Sequence, residues 1–236
     1  MTTSAFASLP LSAAMLANLE SLGYAEMTPI QAQSLPVILK GMDLIAQAKT
    51  GSGKTAAFGI GLLAPLNPRF FGCQALVLRC SWIHSLHGRN FFRTILNLAR
   101  TRASLHVVAD QHGTPTPASL IAQTTVRCIA LHQARALPSG LYHVAAAGAT
   151  SWHAYAQYLV AGARKRGVNL MLKPEQIAAV ASADYAADAA RPRNSRLDTT
   201  ALALATGFAP ADWTAYVDES LDALVACGVE KFFSQA

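Results

Sequence analysis

The sequence is poor in charge. Only 14 % of its 236 residues are charged, against roughly 25 % in an average soluble domain. Apolar residues make up 52 %, so the chain has ample surface to bury and a disordered polymer is excluded. It also lacks a long apolar run. Ala56 to Leu66 spans eleven residues and contains two glycines, whereas a membrane span needs about 20 apolar residues, so no membrane partner is expected. The opening MTTSAFASLP has no basic stretch ahead of an apolar core, so no secretory signal is read there and a cytoplasmic location is expected. The four cysteines, Cys73, Cys80, Cys128 and Cys227, form no C-x-x-C pair, which removes the zinc and dithiol redox motifs. They read as small apolar side chains of a reduced protein. Internal repeats and low-complexity linkers are missing too.

Positive charge is present but diffuse. Nineteen Lys and Arg stand against thirteen Asp and Glu, a net +6, of which +2 falls in residues 1–79 and +4 in 80–236. A mild, spread excess suits a phosphate-bearing ligand and gives RNA little to hold, so RNA binding is expected to be weak or none.

Along the chain, helical and strand patterns alternate. Helices are expected over 12–22 (capped by Ser12 and closed by Gly23), 31–40, 54–63, 90–102, 118–135, 151–166 and 213–226. Strands are expected at 44–46, 74–80, 104–109 and 140–146, with a turn at 110–117 and a loop around 184–198. This alternation indicates an α/β fold with a mainly parallel sheet.

Residues 48–55 read AKTGSGKT. Apart from Ala48 at the first glycine position, they fit G-x-x-x-x-G-K-[ST], with Thr50, Gly51, Ser52, Gly53, Lys54 and Thr55. The order serves phosphate. Glycines let backbone N–H groups turn inward, the lysine reaches the terminal phosphates, and the threonine hydroxyl binds Mg²⁺. The positive end of the following helix points at the same anion. ATP with Mg²⁺ is the ligand these residues suggest, with Thr55 as the chain's ligand to the metal.

Just upstream lie GYAEMTPIQ (23–31) and Phe6, seventeen residues before Gly23. With the phosphate loop, these resemble the N-terminal ATP-binding segment of DEAD-box RNA helicases over about residues 5–79. The resemblance implies that Gln31 reads the adenine edge and that Phe6 packs on the base. The chain departs from the family after ALVL (75–78), where RCSWIHS replaces the RNA-touching segment. The acidic box is missing, since the one Asp-Glu pair, Asp218–Glu219, lies in a predicted helix and reads as a solvated face. Without that box, Mg²⁺ lacks an anchor and the attacking water lacks its base. HSLHGRNFFR (84–93) resembles the helicase arginine motif only superficially.

From Ala75 onward the chain resembles the C-terminal part of dTDP-4-dehydrorhamnose reductases, in the extended short-chain dehydrogenase group. The segments ALVLRCSW (75–82), NFFRTILNLA (90–99), VVADQHGTPTPASLIA (107–122), GLYHVAAAGATSWHAYA (140–156) and RPRNSRLDT (191–199) come in family order. The resemblance implies that Trp82 touches a sugar nucleotide, an indole being suited to stack on a thymine or sugar face and to offer one N–H donor. A partly buried core tryptophan is the alternative. Arg191, Arg193 and Arg196 are plausible pyrophosphate clamps, because a guanidinium fork fits phosphate oxygens; surface charges beside a carboxylate are the alternative. Trp152 and His153 read as helix-opening packing residues.

The reductase chemistry is incomplete. No lysine stands four residues after any of the six tyrosines, so the Y-x-x-x-K proton donor is missing. G-I-G-L-L-A (59–64) fits a dinucleotide fingerprint formally, but it falls inside a predicted helix, which argues against NADP(H). The chain thus reads as a P-loop βα unit (1–79) joined to the substrate-binding part of a Rossmann-type reductase (80–236). Three functions are expected of it: a nucleotide-binding hybrid that holds a dTDP-sugar, an ATP-binding module, or a fusion product without a biochemical role. Strands taken from different neighbours should leave an exposed apolar patch through which copies could associate.

Overall fold

A computed structural model describes residues 5–48, 51–65, 75–185 and 191–234. Thr50, Cys73 and Gln74 therefore lie outside the described residues. The chain divides into two units, Met1–Ala75 and Leu76–Ala236.

The first unit is helical. Its helices are α1 (Ala13–Ser21), α2 (Pro29–Ile38) and α3 (Lys54–Leu63). Ser12 caps α1 by accepting a hydrogen bond from the Met15 N–H, and Pro29 opens α2 where its missing N–H costs nothing. Phe6, Leu9, Leu19, Met27, Leu35, Ala57 and Ile60 form the core of this unit. Helices α2 and α3 approach closely at Gly61, where an added Cβ would lie 2.3 Å from Ile38 Cγ2. Gly61 of G-I-G-L-L-A thus serves helix packing, whereas a Cβ on Gly59 would meet nothing within 4 Å.

The strand expected at 44–46 does not form. Leu44 and Ile45 are exposed, Ile45 fully. A parallel strand needs ladder partners on its flanks, and among the described residues of this unit there is no strand to pair with. Phe58, Leu62 and Leu63 of α3 are exposed as well, as the loss of a sheet to pack on would leave them.

The second unit is α/β. In chain order it contains β1 (Leu76–Cys80), β2 (Ile83–His84), α4 (Phe91–Thr101), β3 (Leu105–Val108), β4 (His112–Gly113), β5 (Thr116–Pro117), α5 (Ala118–Gln133) and β6 (Gly140–Val144). Then come β7 (Thr150–Ser151), α6 (Trp152–Lys165), β8 (Ile177–Val180), α7 (Thr200–Thr206), α8 (Trp213–Ala226) and α9 (Val229–Ser234). Strand pairs β1·β6, β2·β5 and β3·β8 are parallel, whereas β4·β7 is antiparallel. The pairing is mainly parallel, as expected.

Two clusters fill this unit. Helix α4 turns Phe92, Ile95, Leu96 and Ala99 inward at helical spacing. They meet Tyr155, Ala156, Leu159, Val160 and Ala163 of α6 and Val217, Leu221 and Leu224 of α8. A smaller cluster, Cys128, Leu137, Val144 and Leu202, covers one face of β1·β6. On that sheet Val77 and Leu141 are register partners, and both remain about half exposed. Burial raises the thiol pKa of Cys80 and Cys128, consistent with thiols used as apolar side chains. No helix among the described residues is long and apolar enough to cross a membrane.

Candidate functional site

In the first unit the phosphate-loop residues gather around the start of α3. Gly51 and Gly53 take left-handed backbone angles, φ +81° and +89°, which cost a glycine nothing. Helix α3 begins at Lys54, and Thr55 is exposed on its first turn. Gln31 is buried and ties the loop down: its Oε1 accepts from the Thr28 N–H at 2.9 Å, and its Nε2 donates to the Gly53 carbonyl at 3.1 Å. The Thr28 hydroxyl donates to the Ser52 carbonyl at 2.8 Å. An added Cβ on Gly53 would meet Gln31 Nε2 at 2.5 Å, so the glycine also makes room for this tie. Lys54 Nζ donates to the Ala48 carbonyl. Phe6 is only 3 % exposed and meets Tyr24 edge to face, with centroids 6.0 Å apart.

In the second unit the structure brings Trp82 next to the segment carrying Arg193 and Arg196. The Ser81 hydroxyl donates to the Ser195 carbonyl at 3.0 Å. His112 N–H donates to the Arg193 carbonyl, and Ser195 N–H donates to the His112 carbonyl, each at 2.8 Å. Residues 193–195 are thereby pinned between the neighbour of Trp82 and β4. The three arginines are exposed. Arg193 Nε lies 3.9 Å from Asp110 Oδ2, too far for a strong pair, and Arg196 Nε donates to Asn194 Oδ1 at 3.0 Å. Asp110 is itself held by Ser182, whose N–H and hydroxyl both donate to it; these bonds lower its pKa. Arg191 sits two residues before Arg193, with no side-chain partner of its own among the described residues.

Trp82 differs from the stacking platform expected of it. Its ring lies 3.5 Å from that of Trp152 at an interplanar angle of 9°. A Cβ on Gly113 would fall 2.3 Å from Trp82 Cε2, 2.5 Å from Nε1 and 2.7 Å from Cδ2, so a ring face also rests on the Gly113 backbone. Both positions of the alternative are partly met: the indole is packed, yet it stays half-buried and beside the arginine segment. Its backbone is left-handed at φ +49°, which costs a bulky residue about 1–2 kcal/mol. The stack and the Ser81 pin hold it there.

Sequence reasoning missed several of these residues. Trp152 reads as simple packing because seventy positions separate it from Trp82. Ser81, Asp110, His112 and Ser195 carry no motif of their own. Only Ser81, directly before Trp82, offers a local signal.

A cleft of about 380 Å³ also lies in this unit, lined by His84 to His87, Pro117 to Ser119, Tyr216, Glu219, Ser220 and Ala223. Asp218, in the one Asp-Glu pair, accepts from the Tyr158 hydroxyl at 2.8 Å and meets Arg166 Nη1 at 3.1 Å. It thus works as a structural carboxylate. Among the described residues, no three His, Cys, Asp or Glu side chains gather as a metal site.

Comparison with known proteins finds two families along the chain. Residues 28–81 match the DEAD/DEAH box helicase model. The ATP-dependent RNA helicase DbpA of Escherichia coli K12 is 62 % identical over 65 residues, 28 % of this chain and 14 % of that protein. The dTDP-4-dehydrorhamnose reductase of Shigella flexneri is 36 % identical over 186 residues, 74 % of this chain and 62 % of the relative. A crystal structure of a dTDP-4-dehydrorhamnose reductase from Clostridium acetobutylicum superposes with a TM-score of 0.59 at 25 % identity, covering 78 % of this chain and 58 % of that one. The chain spans about 60 % or less of the length of these reductases. The model of the RmlD substrate binding domain matches residues 69–226, overlapping the helicase match at 69–81. A match across well over half the chain places this protein in the RmlD substrate binding domain family.

Proposed function

We propose that the second unit binds a sugar nucleotide of the dTDP-sugar class and performs no hydride transfer by itself. The observation that carries this reading is the pinning of 193–195 to Ser81 and His112. It fixes the backbone of the segment that carries the exposed Arg193 and Arg196 against Ser81, the neighbour of Trp82, and guanidinium groups are suited to a pyrophosphate. The reductase names of its relatives supply the ligand class. NADP(H) does not fit the residues that formally match its fingerprint. Gly59 and Gly61 lie inside α3, and Gly61 is filled by Ile38, so no strand-to-helix turn is there to cradle a pyrophosphate. The missing Y-x-x-x-K pair leaves the carbonyl of a sugar substrate without its proton donor. Millimolar dTDP should raise the melting temperature of the chain, as any ligand selective for the folded state does. No shift in that assay removes the reading.

A second reading is favoured by one specific observation: Gln31 and Thr28 bond to Gly53 and Ser52, so the phosphate loop is braced from behind. On this reading the first unit binds ATP through Gly51, Ser52, Gly53, Lys54 and Thr55, with Thr50 beside them and Gln31 at the adenine end. The exposed Thr55 hydroxyl would be the chain's ligand to Mg²⁺, the nucleotide's phosphates supplying others. Phe6 would reach the base only by leaving its core. Lys54→Ala should abolish ATP binding measured by calorimetry; unchanged binding counts against the reading. The bare faces at Val77–Leu141 and Phe58–Leu62 are where copies of the chain would associate, which light scattering would detect.

A further inference from the structure

We propose that the cleft of the second unit binds the phosphate group of a small phosphomonoester in its singly protonated form. The cleft is separate from the sugar-nucleotide site read above, since neither Trp82 nor the arginine segment lines it. Its volume, about 380 Å³, lies in the range of small-molecule sites. A bare phosphate would not fill it, which leaves room for the organic group of an ester.

Part of the lining supplies donors. Pro117, Ala118 and Ser119 line the cleft at the start of α5, a helix of sixteen residues. No side chain caps this start, and no acidic residue stands in its first turn. The first N–H groups of a helix have no partner within the helix, and with the helix dipole they favour an anion. Ser85 also lines the cleft. Its hydroxyl oxygen accepts from the His87 N–H at 3.0 Å, which leaves the hydroxyl hydrogen to a ligand.

Another part demands hydrogen. His84, in the cleft wall, is 1 % exposed. Its Nε2 lies 3.3 Å from the Ser220 hydroxyl, whose own hydrogen goes to the Tyr216 carbonyl at 2.8 Å. Nε2 is therefore the protonated nitrogen, and Nδ1 presents a lone pair. Nδ1 is closed to bulk water and makes no hydrogen bond among the described residues. A buried polar atom without a partner is rare in folded proteins, and this one belongs to the wall of a cleft. Burial lowers the ring pKa to about 4, so the nitrogen stays an acceptor near neutral pH. Glu219, exposed and without an ion pair among the described residues, is a second acceptor in the lining.

A ligand for this lining must bring negative oxygens to the start of α5 and a hydrogen to Nδ1. Carboxylate and sulfate carry no hydrogen near neutral pH and set lone pairs against lone pairs. An ammonium group brings hydrogen but opposes the helix dipole. A neutral polyol leaves the dipole unanswered. A phosphomonoester meets both demands, because its second pKa is about 6 and an acid O–H then coexists with ionised oxygens on one group. The O–H is the donor for Nδ1. The ionised oxygens are the acceptors for the α5 N–H groups and the hydroxyls of Ser85 and Ser119.

The test uses the full chain with ¹⁵N-labelled histidine and with Lys54→Ala, which takes the lysine out of the phosphate loop. It is titrated at about pH 6.5, close to the phosphomonoester pKa, with glycerol phosphate, inorganic phosphate and sulfate. Of the seven histidines, the ring signal lost in His84→Phe belongs to His84; His84→Gln serves should the first variant fail to fold. Both phosphates should move the Nδ1 signal of His84 toward that of a hydrogen-bonded nitrogen, glycerol phosphate at the lower concentration. Sulfate should bind roughly tenfold more weakly or worse. Ser119→Glu puts a carboxylate in the first turn of α5, where it stabilises the helix, and should abolish the shift while the chain stays folded. Glu219→Gln should narrow the preference for phosphate over sulfate roughly tenfold. An unmoved His84 signal up to about 10 mM of either phosphate, or a shift that survives Ser119→Glu, overturns the site. Equal binding of sulfate overturns recognition of the protonated form, and tighter binding of inorganic phosphate overturns the assignment to an ester.

Discussion

Mild acid should destabilise the second unit through one histidine. His84 is 1 % exposed. Its ring stacks on Phe92 at 5.7 Å and faces Tyr155 at 6.3 Å. Nε2 lies 3.3 Å from the Ser220 hydroxyl, and Nδ1 has no partner. The Ser220 hydroxyl donates to the Tyr216 carbonyl at 2.8 Å, so Nε2–H is the donor toward Ser220 and the ring is neutral. Around it the Tyr155 hydroxyl, also without a partner, has its pKa raised by burial and offers no charge to offset an imidazolium. Burial lowers the His84 pKa from 6.5 to about 4. The unfolded chain therefore takes up the proton first as pH falls. Stability is full above pH 6.5, declines through the window between 6.5 and about 4, and levels off below.

A fall from 6.5 to about 4 corresponds to about 3 kcal/mol when the decline is complete, and about 2 kcal/mol of it is gone by pH 5. For a domain whose total stability is about 5–15 kcal/mol this is a large share. Urea melts at pH 7.5 and pH 5 measure it. All three tryptophans, Trp82, Trp152 and Trp213, lie in the second unit, so their fluorescence follows that unit selectively. The carboxylates held below their ordinary range, Asp110, Asp198 and Asp222, begin to lose their contributions only from about pH 5 downward, so the comparison of pH 7.5 with pH 5 reads the histidine. His84→Phe, with a ring of similar size, should flatten the curve between the two pH values. Parallel losses in the variant and the unaltered chain would refute the argument.

Two further outcomes follow from buried contacts. Arg93 is 4 % exposed; its guanidinium donates to the Leu86 and Phe232 carbonyls and sits 4.3 Å over the Phe232 ring. Arg93→Ala should cost about 2–4 kcal/mol by stranding these carbonyls and opening a void, and limited proteolysis should then cut within α9. Gly113→Ala should cost about 1–3 kcal/mol by overpacking against Trp82, with a change in the near-ultraviolet circular dichroism of the stacked indoles. An unchanged spectrum would mean that the two rings are not held by that backbone.

Elements with their own punctuation were legible in the sequence. Helix α3 runs from Lys54 to Leu63 as read, because Gly53 ends the loop and a helix-forming run follows. Helix α8, Trp213–Ala226, also matches, with Asp212 accepting from the Thr214 N–H at its start. Strand β8 was not legible. Ile177-Ala-Ala-Val is short and has no polar alternation, and it is a strand only because β3 lies alongside. Helices α7 and α9 were missed because seven and six residues carry too little periodicity. Gly207 at φ +63° closing α7 was the available clue. At the candidate site, Trp82 and the arginines were legible as residue types, whereas the clamp by Trp152 and Gly113 was not. It joins parts of the chain thirty to seventy positions apart, and nothing local announces it.

The phosphate loop folds although the strand expected at 44–46 does not. The loop's geometry is set by contacts close in sequence: two left-handed glycines, a helix start at Lys54, and the Thr28 and Gln31 bonds from α2. None of these needs a sheet. A parallel strand draws its stability from neighbours that are far along the chain, and it pays loop-closure entropy before gaining any ladder bond. Remove the neighbours and the strand is lost first, while the turn and helix persist. The same logic predicts where the second unit holds. Pairs β1·β6 and β3·β8 each keep a full register of partners within Leu76–Ala236, and each lies against a buried cluster. Hydrogen exchange should therefore be slowest in α4, α6 and α8 and in these paired strands, and fastest at 42–48. Comparable protection at Leu44–Ala46 and at Leu105–Val108 would show that the first segment has found a ladder after all.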